Sequence, residues 1–105
     1  MNCFDWDDEN TRHLARHEIV PAEAEEVIRN RPLDLESHLR NGEERTVQIG
    51  ETDAGRILIV VTTMRGRIIR VVTAWPAKDR FRRYFLTQKQ GNGNVGRIES
   101  EDLCE

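Results

Sequence analysis

The stretch "RTVQIGETDAGRILIVVTTMRGRIIRVVTAW", residues 45–75, decides the fold class of this 105-residue chain. "RTVQI" alternates, which places Val47 and Ile49 on one side of a strand. "RILIVVTT" is a continuous, β-branched apolar run of the kind that fills the centre of a sheet. "IIRVVTAW" reads as a further strand, with Arg70, Val72 and Ala74 on one face and Ile69, Val71, Thr73 and Trp75 on the other. The turns between the strands, "TDAG" and "MRGR", are too short for a parallel crossover, so the strands form an antiparallel meander.

Helices flank this core. On the N-terminal side Phe4-Asp5-Trp6 alternates like a short edge strand, and Asp7 or Asp8 can cap a helix running to about His17. Pro21 fits the first position of a second helix, with Ala24, Val27 and Ile28 as its apolar stripe and Pro32 as its stop. Residues 33–44, "LDLESHLRNGEE", fit either a strand or a packed loop anchored by Leu33, Leu35 and Leu39. On the C-terminal side Pro76 ends the last strand, and a helix follows from Ala77 to Lys89. Its Phe81, Tyr84, Phe85 and Gln88 form one stripe, read as core facing the sheet. The expected class is α+β: two N-terminal helices, a three- to four-stranded antiparallel sheet and a C-terminal helix. One domain over residues 1–90 and a flexible acidic tail over 91–105 complete the expectation.

The formal net charge of -3 hides an asymmetry. Residues 1–55 carry 6 Lys/Arg against 14 Asp/Glu, whereas residues 56–90 carry 9 Lys/Arg against the single acid Asp79. That basic block is either a surface for a polyanion or a set of charges neutralised within the fold by the acidic half. No apolar run reaches membrane-spanning length and the N-terminus has no apolar signal region, so the expected location is the cytoplasm, with no membrane partner. Cys3 and Cys104 lie near opposite ends; one bridge is conceivable, and two isolated thiols are the plainer reading for that compartment.

Arginine forks match phosphate geometry, which makes Lys78, Arg80, Arg82 and Arg83 of the last helix the first candidates for binding RNA. Arg65, Arg67 and Arg70 add cations from the strands. If the helices cover one face of the sheet, Arg70 should stand on the open one, and a basic sheet beside a basic helix suits single-stranded RNA. The competing reading is a solvated face with ordinary surface arginines. RNA hydrolysis needs a base, an acid and charge stabilisation, all within reach of Arg, Lys, Tyr and His, so no metal or other cofactor is expected. A weaker alternative is a metal site. His13 and His17 share a helical face, with His38 as a third ligand if it folds back, but Leu14 stands where a metalloprotease motif has Glu. His17 equally fits a packed or capping role, or a titratable group directed at the sheet.

Taken in order, these segments resemble the BrnT-type toxins. "FDWDDENTRHLARHEIVPAEAEEVI" is similar to their opening, "VQIGETDAGRILIVVTTMRGRIIRVVTA" to their central hairpins, and "AKDRFRRYF" to their closing Arg-Arg-x-Tyr helix. The resemblance implies a RelE-like fold and a small endoribonuclease that inhibits translation. It also implies a ribbon-helix-helix antitoxin as partner, assembled as a dimer or a toxin–antitoxin heterotetramer that represses its own operon. Residues that match are His17, Arg70, Arg82, Arg83 and Tyr84. His17 or Tyr84 would then assist proton transfer, with Arg70 and Arg83 holding phosphate. The pattern differs at Asn10, near a family lysine, at Glu18 in place of glycine, and at Trp75 in place of a cation. Lys78 and Phe81 also replace the Thr-x-x-Glu start of the last helix. These differences motivate a second expectation, a non-catalytic module, a decayed toxin, that binds antitoxin or nucleic acid.

Overall fold

The structure, a computed structural model, describes residues 3–91. The elements are α1 (Asp8–Ala15), α2 (Pro21–Arg29), β1 (Leu33–Arg40), β2 (Glu43–Glu51), β3 (Ile57–Arg65), β4 (Ile68–Pro76) and α3 (Asp79–Gly91). The four strands form one antiparallel sheet in the order β1-β2-β3-β4. The chain is therefore α+β, with helices flanking the sheet. The ambiguous stretch after Pro32 is the strand β1, turned into β2 by Asn41-Gly42. Both turn residues take left-handed φ values, 54° and 78°, as a tight hairpin turn demands.

Alternation along β3 sends Leu58 and Val60 to one face and Ile57 and Ile59 to the other. The first face packs on α1 and α2 through Leu14, Ala24, Val27 and Ile28. The second packs on α3 through Phe85, with Phe81 and Trp75 against the same cluster. Helices thus cover both faces, and the expectation of a sheet with one open face is corrected. Ile49, Ile57 and Ile59, with Leu33, Leu35, Val47 and Trp75 against them, form the sheet side of this cluster at one end of the second face.

In β4 the strict alternation expected from sequence is also corrected. Val61 pairs with Thr73 and Thr62 with Val71, which leaves Val72 as an extra residue in a β-bulge. Ala74 therefore joins Ile69 and Val71 in the α1/α2 core instead of sharing a face with Arg70.

Phe4 pairs parallel to Ile69 along the outer edge of β4. Asp5 N donates to Ile69 O at 2.9 Å and Ile69 N to Cys3 O at 3.0 Å. Asp7 then caps α1. Its Oδ1 accepts from Asn10 N at 3.1 Å, and Asn10 Oδ1 accepts from Asp7 N at 2.8 Å. Cys3 is buried and is not a free thiol, against the expectation of two isolated thiols. Cys104 and, beyond its first residue, the tail expected over 91–105 lie outside the described residues. No helix among the described residues is long and apolar enough to cross a membrane.

Candidate nucleic-acid interface

The second face continues past α3 toward the β1–β2 and β3–β4 turns. Register builds that uncovered half from side chains distant in sequence. His38 on β1 stands opposite Arg45 on β2, and Arg40 opposite Glu43. Thr63 on β3 stands opposite Arg70 on β4. Glu43 meets Arg45 Nη2 and Arg65 Nε at 3.6 Å each. His38 Nδ1 lies 3.8 Å from Glu36. Arg45 Nε is buried with no hydrogen-bond partner among the described residues.

The carboxyl of Glu43 is held below its ordinary value. The Thr63 hydroxyl beside it comes first, then the charges of Arg65 and Arg45. The one hydroxyl proton of Thr63 is already given to Glu44 O at 2.8 Å, so the lowering comes from the guanidinium groups.

Arg70 departs from expectation. It is only 8 % exposed, and its guanidinium meets Asp7 at 3.0 Å, Asp5 at 3.3 Å and Glu9 at 3.6 Å. The hydrogen bond from Arg70 holds the Asp7 carboxyl below its ordinary value, with the Asn10 backbone N–H adding to it, and Arg70 is raised in return. The acids of the N-terminal segment therefore compensate Arg70, where the sequence suggested a cation open to solvent.

The α3 cations are different. Lys78, Arg82 and Arg83 are exposed and make no ion pair among the described residues. Arg80 lies over the Phe81 ring, 5.1 Å from its centroid. Arg67, in the β3–β4 turn, is exposed and likewise unpaired among the described residues, while Arg65 is held by Glu43. Tyr84, expected in the core stripe, is 43 % exposed. Trp75 packs against the α3-side core and lines a shallow depression with Lys78, Arg80 and Phe81. It serves packing at the base of the helix.

His17 lies exposed in the turn after α1, on the opposite side of the sheet from α3. The fold does not bring it to Arg83 and Tyr84. The same separation parts His13 and His17 from His38. Among the described residues no group of three or more His, Cys, Asp or Glu is placed to hold a metal ion. Sequence reasoning named His38 only as a possible metal ligand and did not name Arg45 as a site residue, although the fold sets the two side by side. Their signal was Asn41-Gly42, a hairpin turn that sets β1 against β2 and so fixes the pairing of His38 with Arg45.

Residues 6–80 match the family described as the ribonuclease toxin, BrnT, of type II toxin-antitoxin systems. The chain belongs to the BrnT toxin family. A comparison with curated proteins gave no match. The segment matched to BrnT contains the whole uncovered half-face, from His38 to Arg70, as well as Lys78 and Arg80. It stops before Arg82, Arg83 and Tyr84.

Proposed function

We propose that this chain is the toxin of a toxin–antitoxin pair. Its domain, residues 1–90, would cleave cytoplasmic RNA without a metal ion and so inhibit translation. Its partner would be a ribbon-helix-helix antitoxin, in a dimer or heterotetramer. The observation that carries this reading is the pairing of two surfaces on one side of the sheet. Arg82 and Arg83 of α3, exposed and without an ion pair among the described residues, stand on the same side of the sheet as a polar half-face that no described helix covers. Lys78, Arg80, Arg82 and Arg83 would hold the RNA backbone, Arg65 and Arg67 would extend the track, and Tyr84 would offer a ring edge or a hydroxyl. Arg70 and His17, named with Arg83 and Tyr84 from sequence, have a lesser place in this proposal, since one is ion-paired and the other faces away.

Induced expression of the chain alone should arrest bacterial growth, and the purified protein should cut messenger RNA in the presence of a chelator. Normal growth together with intact RNA would remove the reading.

A binding module without catalysis is the second reading, favoured by the three carboxylates around Arg70. It expects RNA affinity without cleavage. In either case Arg82→Ala with Arg83→Ala should flatten the salt dependence of binding, by a log–log slope of about 1.4 for two phosphates on a single strand.

A further inference from the structure

We propose that His38 and Glu43 form the acid–base pair of the RNA-cleaving site, with Arg45, Arg65 and Arg40 around the phosphate between them. The proposal rests on the ribonuclease reading and names the groups that would perform it.

The argument begins with register. His38 is opposite Arg45, and Glu43 is two residues before Arg45 on the same strand and the same face. Diagonal neighbours of this kind lie about 7–8 Å apart on an antiparallel pair. That span admits a phosphodiester with a hydrogen bond of about 2.8 Å at each end. Glu43 and Arg45 lie on β2 in register with Arg40 and His38 of β1, so the hairpin fixes their spacing. Both partners are reachable by solvent: the side chains of His38 and Glu43 are 43 % and 29 % exposed.

The surroundings fit the roles. Glu36, 3.8 Å from His38 Nδ1, can orient the ring and leave Nε2 directed at a ligand. Arg45 and Arg65 contact Glu43 at 3.6 Å, too long for tight hydrogen bonds, so their donors remain available to phosphate oxygens. Arg40 is opposite Glu43 and exposed. Glu43, ringed by guanidinium groups, is ionised and can accept a proton. In the step itself, the Glu43 carboxylate takes the proton of a ribose 2′-hydroxyl and the 2′-oxygen bonds to phosphorus. The bond from phosphorus to the 5′-oxygen breaks, and the His38 imidazolium gives its proton to that oxygen. The products are a 2′,3′-cyclic phosphate and a 5′-hydroxyl, with the arginines stabilising the added charge on the phosphorane.

The test uses the purified full chain, a chelator, and an RNA oligonucleotide cut by the wild type. H38Q and E43Q should each lower the cleavage rate about 10²- to 10⁴-fold, with oligonucleotide affinity retained through α3. H13Q should cleave like the wild type. A 2′-O-methyl group at the cut position should block cleavage. If H38Q cleaves as fast as the wild type, or the methylated RNA is cut, the pair is overturned while the ribonuclease reading stands. If the wild type cuts no RNA, both fall. Circular dichroism checks that each variant is folded; His38 is a surface residue, so H38Q keeps the proposal open to refutation even if E43Q unfolds.

Discussion

Asn10 holds more of the fold than a surface-like sequence context suggests. It is 1 % exposed, and its Nδ2 donates to Asp5 O and Val71 O at 2.9 Å each while its Oδ1 accepts from Asp7 N. One amide side chain thus ties the N-terminal segment, α1 and β4 together. Asn10→Ala should cost about 1–3 kcal/mol for each buried group left unpaired, measurable as a loss in the midpoint of urea unfolding. The difference from the family pattern at this position is therefore explained as packing. Tyr84 was misread for a geometric reason. At about 100° per residue it falls about 80° from the midpoint of Phe81 and Phe85. Phe85 and Phe81 meet the sheet, and Tyr84 is left on the shoulder of the stripe. Arg70 could not be read because its partners, Asp5 and Asp7, are more than sixty residues away in sequence.

Each helix is fixed to the sheet by a different device. At α2 it is close approach. A Cβ on Gly50 would lie 3.0 Å from Val27 Cγ1 and 3.1 Å from Pro32 Cβ, and neither Pro32 nor the buried Val27 can easily give way. Gly50→Ala should therefore destabilise the protein by about 1–3 kcal/mol, the usual cost of overpacking, seen as a lower melting temperature. At α1 it is charge. Asp7 caps the helix and pairs with Arg70, and its pKa is lowered from the ordinary 3.8. A lowered carboxyl stabilises the fold above 3.8 and loses that contribution as the pH falls through its folded value. Asp7→Asn can still cap, but should show a flatter loss of stability on acidification, measured by denaturant titration below pH 4. At α3 the ion pair of Lys89 with Glu51 on β2 adds to the Phe85 contact. The helices and β2–β4 were legible because propensity, caps and stops agreed. β1 was not, because an edge strand with an exposed outer half has little apolar pattern to show.

The charge asymmetry resolves differently in its two halves. Arginines on or beside the strands are met by acids of the first half of the chain: Arg56 by Glu23, Arg65 by Glu43, and Arg70 by Asp5 and Asp7. Lys89 of α3 is met by Glu51, whereas Lys78, Arg82 and Arg83 make no ion pair among the described residues. Sequence could count the charges but not assign them, since assignment depends on which strands and segments become neighbours. Removing the first seven residues should unfold the protein. It leaves Arg70 buried without its closest carboxylates and removes Phe4 from the core, and a circular-dichroism melt would show the loss of a cooperative transition. The Phe4–Ile69 bridge also has a consequence for biosynthesis. The Phe4 segment must wait for β4, the last strand among the described residues, before it has a partner. Asp5 and Arg70, 65 positions apart, can meet only when most of the chain has been made. A polypeptide interrupted before β4 lacks the strand that α1 packs on, so α1 can dock only after β4 has been made.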